Sequence, residues 1–180
     1  LENLTKLIDA CPDLAGELLA NVDMPLRIIE DKKAKKSFLI CDYNRDGDSF
    51  RSPFSNTYFP PMESDFFPSE KLRQLEVQLN DAFEMYREMY YEEGLHSVYV
   101  WDTDDGFNVC ALFKKTARMS KKGAPMTGTW DSINVIEVIP QGNEKAQYTI
   151  TSTIMMYMKT SNDTTGEISF TGSLTRQNSK

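Results

Sequence analysis

The chain has 180 residues, of which 40% are hydrophobic and 26% are charged, with eight prolines and nine glycines. This composition excludes collagen, a coiled coil and extensive disorder, and it fits one globular domain or one domain with a small appendage. The formal net charge of −7 argues against nucleic-acid binding, which requires a basic face.

The sequence shows no targeting or metal-binding pattern. It has no apolar run long enough for a membrane helix and no signal peptide at its start, so we expect a cytoplasmic protein. Three widely spaced cysteines, Cys11, Cys41 and Cys110, suggest neither a disulfide framework nor a zinc site. They are interpreted as small buried hydrophobic residues.

The first third of the chain predicts short, irregular elements. Apolar residues at helical spacing predict two short helices before Pro25. Residues 31–36 form a charged run that we expect to be solvated, and residues 38–41 fit a short strand. Turn-forming residues dominate from Asp42 to Pro61.

A long amphipathic helix is the strongest prediction. It is expected to begin at Ser69 and to stop at Gly94, because apolar residues recur every three or four positions between them. After Gly94 the period changes to two, which predicts five strands at 97–101, 107–115, 129–139, 147–159 and 167–175. The short turn-like links favour an antiparallel meander.

The pattern of side chains predicts a sheet that is not fully covered. In the fourth strand Tyr148, Ile150, Ile154 and Met156 share one face, whereas threonines and Lys159 occupy much of the other. The third strand is apolar on both faces, and one helix can cover only part of one face. We therefore expect a partner chain or further sequence to cover the remainder.

The acidic segment from Asp42 to Gly47 resembles the first half of an EF-hand calcium loop, but the twelfth position is Pro53 instead of glutamate. A metal-dependent phosphohydrolase or calcium-binding protein that uses Asp42, Asp46 and Asp48 is kept as the alternative function. The more economical interpretation is a tight turn. The single histidine, His96, has no nucleophile motif beside it and is predicted at a loop or strand edge, so no enzyme is expected.

Two charged features suggest binding instead of catalysis. Asp42, Asp46 and Asp48 concentrate negative charge that suits a basic peptide. Basic residues around the link between the second and third strands suit an acidic protein surface or anionic lipid; these are Lys114, Lys115, Arg118, Lys121 and Lys122.

Five blocks resemble a known family in its own order. They are FLICDYNRDGDSFRSPFSN over residues 38–56, KLRQLEV over 71–77, SVYVWD over 97–102, WDSI over 130–133 and GSLTRQ over 172–177. Together they are similar to the β subunit of F-actin capping protein over nearly the whole chain. The main departure is the loop at 117–127.

The resemblance implies a cytoskeletal subunit that pairs with an α subunit of similar fold, each giving five strands to one sheet. It implies capping of actin barbed ends without catalysis or a cofactor, with basic regulator peptides and phosphoinositides as further partners. Ile168, Phe170 and Gly172 would then lie near the α subunit. Relative to the family pattern we expect a piece that lacks the first stalk helix, the C-terminal long helix and the actin-binding extension.

The expected fold class is therefore α+β. Its predicted regions are a helical stalk over residues 1–30, a middle region of short strands and turns over 31–68, and a helix with a five-stranded antiparallel sheet over 69–180.

Overall fold

A computed structural model describes residues 25–119, 126–142, 145–162 and 166–180, together with Lys6. Five short strands come first: β1 (Arg27–Asp31), β2 (Lys36–Ile40), β3 (Arg45–Asp46), β4 (Ser49–Arg51) and β5 (Tyr58–Phe59). One helix, α1 (Glu70–Tyr90), separates them from five long strands: β6 (Leu95–Thr103), β7 (Gly106–Met119), β8 (Met126–Gly142), β9 (Lys145–Asn162) and β10 (Gly166–Ser179).

The long strands form one antiparallel sheet in the order β10-β9-β8-β7-β6, which confirms the predicted meander. Each strand extends beyond its predicted range, because hydrogen bonding continues through the polar residues on either side of each apolar run. The short strands form two further sheets, β1-β2 and β3-β4-β5.

The start of the middle region differs from the prediction. The two helices expected before Pro25 lie outside the described residues, apart from Lys6. Residues 27–30, predicted to end the stalk, instead begin β1, and Ile29 pairs with Phe38 of β2. The β-branched Ile28 and Ile29 favour a strand here, and β2 supplies the apolar partner strand that completes a hairpin.

Asp31 corrects the expectation of a solvated charge run. Its side chain is fully buried, and Oδ1 accepts the backbone N–H groups of Lys33 and Ala34 in the β1-β2 turn. Oδ2 accepts the Ser52 hydroxyl at 2.5 Å. Burial raises the carboxyl pKa, but these hydrogen bonds outweigh it and the pKa is lowered. The residue therefore closes a turn and does not face solvent.

Helix α1 is anchored at both ends. The backbone N–H and the hydroxyl of Ser69 donate to the Asp102 carboxylate at 2.8 and 3.0 Å. Past Tyr90 the chain turns tightly, and a Cβ on Gly94 would lie 2.8 Å from the Tyr91 carbonyl oxygen. The helix thus ends before Gly94, and the glycine is required by close approach.

The core lies on both sides of β6 and β7. On one side the apolar stripe of α1 packs on β6 and β7, with Leu72, Leu75, Leu79 and Phe83 against Val98, Val100, Val109, Ala111 and Phe113. On the other side Leu26 and Leu39 pack on Tyr99, Cys110 and Leu112. These two strands are consequently buried on both faces. Among the described residues no helix is long and apolar enough to cross a membrane.

Candidate interaction surface

The cover that α1 provides ends partway across the sheet. One row of paired residues crosses from β7 to β10 on the α1 side: Phe113, Ser132, Ile154 and Leu174. Their exposed fractions are 4%, 5%, 37% and 71%. The helix therefore shields β7 and the adjacent part of β8, while β9 and β10 remain open.

A contiguous set of large apolar side chains occupies this uncovered region. We call it the open apolar face, and it comprises Trp130, Tyr148, Ile150, Ile154, Met156, Ile168, Phe170 and Leu174. The strand register places all of them on the side of the sheet that carries α1. A cavity of about 270 Å³ lies where the helix meets this face, lined by residues that include Phe83, Tyr86, Trp130 and Ile154.

The opposite side of β9 and β10 is polar. Thr153 and Thr175 share a hydrogen bond of 2.8 Å across the two strands, and the Gln177 amide donates to Thr151 at 3.0 Å. Met155 and Tyr157 are the exceptions, because Met155 belongs to the buried cluster with Tyr99 and Tyr157 packs against it. These strands are wetted on one side and apolar on the other, as the sequence predicts for β9. Exposed apolar patches of this kind mark interaction surfaces.

Strand β10 is also an open edge. Within the described part of the chain it pairs only with β9, and every residue in it is exposed. Ile168 and Phe170, predicted at the α-subunit interface, lie on the open apolar face, and Gly172 pairs with Met156 beside them. The edge presents unpaired backbone hydrogen-bonding groups and the face presents exposed apolar side chains, so the two form one continuous surface for a partner.

The acidic turn holds its carboxylates apart. Asp42 begins a single 3-10 turn, Asp46 and Ser49 pair across Gly47, and Gly47 has a φ of +54° that favours glycine. The side chains of Asp42 and Asp48 project into solvent, with the Arg45 guanidinium within 3.9 and 4.0 Å of them. The Asp46 carboxylate instead accepts the Ser64 hydroxyl at 2.6 Å.

This arrangement fits a structural turn better than a metal site. Among the described residues no group of three His, Cys, Asp or Glu side chains is placed to hold an ion. An arginine between two carboxylates supplies the positive charge that a cation would otherwise bring. The same two carboxylates remain accessible to a basic ligand.

Lys114 is not accessible in the way that the sequence predicts for the basic link. It is buried, and its Nζ lies 3.0 Å from both carboxylate oxygens of Asp131, which also accepts the Leu26 N–H at 2.7 Å. This ion pair anchors the chain that enters β1. Lys115 is half-buried on β7, whereas Lys121 and Lys122 lie outside the described residues, as does the side chain of Arg118.

Sequence reasoning missed a charged network that fixes the middle region. Glu76 of α1 is fully buried, and its carboxylate accepts Nη1 and Nη2 of Arg51 at 2.8 and 2.7 Å. It also accepts the Val100 N–H at 2.8 Å and a hydrogen bond from Arg73. Arg73 in turn donates to the carbonyl oxygens of Pro53 and Phe54. The available signals are the charged residues inside two of the family-like blocks: Arg51 within residues 38–56, and Arg73 and Glu76 within residues 71–77.

His96 is the second residue of β6, the terminal strand of the sheet, which agrees with the predicted position at a strand edge. Its side chain is nevertheless only 3% exposed, and its Nε2 is 3.1 Å from the Asn80 carbonyl oxygen. Burial lowers its pKa, and the repulsion by Arg87 and Lys36 adds to this effect, although Glu84 opposes it. The imidazole thus serves packing between α1 and the sheet.

Comparisons with known proteins agree on one family. The sequence model described as "F-actin capping protein, beta subunit" matches residues 1–180. Proteins named F-actin-capping protein subunit beta are 52% identical in Dictyostelium discoideum over 179 residues and 51% identical in Drosophila melanogaster over 177 residues. They cover 99% and 98% of this chain, which spans 66% and 63% of their lengths.

A solved structure shows the same fold at low sequence identity. The homodimeric actin capping protein alpha subunit from Plasmodium berghei superposes with a TM-score of 0.56 at 14% identity. The alignment covers 98% of this chain and 69% of the other. Its architecture matches the helix and antiparallel sheet described above.

Proposed function

Since the chain belongs to the F-actin capping protein β-subunit family, we propose that it acts as the β subunit of a heterodimer that caps actin filaments. With an α subunit it would bind barbed ends and block the addition and loss of actin. The role is non-catalytic, requires no cofactor and belongs to the cytoplasmic cytoskeleton.

The open apolar face is the observation that carries this proposal. Large side chains such as Trp130, Phe170 and Leu174 are 45%, 51% and 71% exposed, beside an unpaired sheet edge. Burying this surface against a partner removes apolar area from water, and strand pairing at β10 satisfies its free backbone groups. An α subunit of similar fold would continue the sheet at that edge.

Neighbouring substitutions on β10 test the assembly. Phe170→Asp in the full-length protein, co-expressed with the α subunit, should lower the affinity for that subunit at least tenfold, because it places a charge in an apolar contact. Thr171→Asp is the matched control, since it adds the same charge to the polar side of the same strand. We expect it to lose far less affinity.

Actin assays then connect assembly to function. The wild-type complex should stop elongation from filament seeds, and Phe170→Asp should need correspondingly more protein for the same inhibition. A stable complex that leaves elongation at its normal rate would contradict capping. Equal losses from both substitutions would contradict the placement of the α subunit on the open apolar face.

We propose further that the basic link, through Lys115, Lys121 and Lys122, binds anionic phosphoinositides.

We also propose that the acidic turn binds basic regulator peptides. Asp42 and Asp48 support the first role because their side chains are exposed and lie on the same turn. Replacing both by asparagine should weaken a basic peptide several-fold at low salt, with less effect at high salt. Asp81→Asn, an exposed change on α1, is the control; unchanged peptide affinity in the double variant would dismiss the site.

A further inference from the structure

Two thiols meet where the middle region packs on the sheet. Cys41 directly follows β2, whereas Cys110 lies in the centre of β7, 69 residues later in the chain. Both pack in the cluster that contains Leu39, Tyr99 and Leu112. Cys41 packs against the buried cluster that contains Cys110, close enough for the two thiols to interact, and both cysteines are free.

The two thiols differ in access and acidity. Cys41 is partly exposed, while Cys110 is completely buried. The interaction with the Cys110 thiol lowers the pKa of Cys41 against the opposing effect of burial, and the backbone N–H groups of Tyr43 and Asn44 lower it further. The same contact and burial raise the pKa of Cys110. The partly exposed Cys41 sulfur is thus the one favoured to react as a thiolate.

We propose that Cys41 and Cys110 form an oxidisable pair that hydrogen peroxide converts to a disulfide between the segment after β2 and strand β7. The Cys41 thiolate attacks one peroxide oxygen, the O–O bond breaks, and hydroxide leaves to give a sulfenic acid. The Cys110 sulfur then attacks the Cys41 sulfur, its proton leaves with the hydroxyl group as water, and the S–S bond forms. Two thiols and one peroxide yield one disulfide and two waters.

The bond would tie two layers that now meet only through noncovalent contacts. The β1-β2 hairpin lies over the sheet on the side opposite α1, and Cys41 is the residue at which it leaves that surface. A link across 69 residues restricts the unfolded chain strongly, so the oxidised protein should resist heat better. The pair therefore makes the stability of this contact depend on oxidants.

Peptide mapping of the full-length chain, purified reduced with any subunit that accompanies it, tests the proposal. After limited hydrogen peroxide treatment, a digest made without reductant should contain a linked pair of peptides that carry Cys41 and Cys110. Dithiothreitol should separate them and reverse a rise of about 5 °C or more in the melting temperature. Cys11→Ser should leave the linked pair unchanged.

The variant Cys110→Ala shows whether the buried sulfur completes the reaction. It should accumulate a Cys41 sulfenic acid that dimedone labels, whereas the wild type should show little label at that position. A link from Cys41 to Cys11, persistent Cys41 sulfenic acid in the wild type, or an unmodified Cys41 would each overturn the proposal. If Cys110→Ala does not fold, the wild-type peptide map decides alone.

Discussion

A single buried carboxylate connects three parts of the molecule. Glu76 lies on α1, contacts Arg51 of β4 and receives the backbone N–H of Val100 in β6. Arg51 also reaches the Asn56 side chain at 2.8 Å, so the polar block after β4 is held from both of its ends. Arg51 and Glu76 lie in two of the blocks that resemble the family, and in this structure they hold the fold together.

Removing this carboxylate should strongly destabilise the protein. Glu76→Ala leaves Arg51 buried without its counter-charge, so we expect the free energy of unfolding to fall by about 3–5 kcal/mol. Denaturant titration followed by circular dichroism measures this change. Glu88→Ala on the exposed side of α1 is the control and should stay within about 0.5 kcal/mol. A loss below about 1 kcal/mol for Glu76→Ala would contradict the connecting role.

Charged residues also mark where sequence reasoning fails at this scale. Charge usually indicates exposure, so the sequence predicts an accessible Lys114 and a solvated Asp31. Each is buried with a partner that is distant in sequence: Asp131 for Lys114 and Ser52 for Asp31. Such pairs depend on strand register and layer packing, which local patterns do not contain. The exposed Asp42 and Asp48 show the opposite case, in which the local pattern suffices.

At the scale of elements, the sequence predicts the helix with its start at Ser69 and all five strands of the large sheet, but not the ends of the strands. The spacing of apolar residues follows from the surface that each element packs against, so it can be recognised in the sequence. Strand ends depend on hydrogen bonds from a neighbouring strand, and residues 27–30 form β1 for that reason. In the β6-β7 hairpin, the structural role of a glycine also differs from the role that the sequence suggests.

Gly106 is needed in this hairpin for space and not for turn geometry. The turn residues are Asp104 and Asp105, and Gly106 already pairs with Thr103 as the first residue of β7. A Cβ at this position would lie 2.0 Å from the Val138 carbonyl oxygen of β8. The short turn-like link between β6 and β7 therefore predicts the right hairpin, but its glycine is required for close packing against β8.

Gly106→Ala should consequently destabilise the protein by about 1–3 kcal/mol, because backbone must move to admit the methyl group. Thermal unfolding should show a melting temperature lower by about 2–10 °C. Gly172→Ala is the matched control in the same sheet, since nothing lies within 4 Å of its added Cβ. Equal melting temperatures of the two variants would show that β8 moves to admit the methyl group without a loss of stability.

For the whole molecule, the decisive property is unequal coverage of one sheet. Strands β6 and β7 lie between α1 and the β1-β2 hairpin, whereas β9 and β10 have apolar residues on one side that no described residue covers. Sequence patterns predict that a single helix is insufficient. They do not predict which half stays open, because the β1-β2 hairpin is far in the chain from the strands β6 and β7 that it covers.

This asymmetry predicts where a partner will change backbone protection. Hydrogen exchange of the full-length protein, alone and with the α subunit, should show amides of β10 slowed at least tenfold in the complex, because pairing at that edge closes exposed hydrogen-bonding groups. Strand β7 is the internal reference, since it is paired on both sides in either state.

The opposite edge of the sheet makes the experiment discriminating. Strand β6 is also terminal in the strand order, but α1 and the middle region bury it on both faces. An α subunit that docks at β10 should leave the exchange of β6 unchanged. Protection that appears at β6 while β10 continues to exchange quickly would place the partner on the wrong edge, and the open apolar face would then need another occupant.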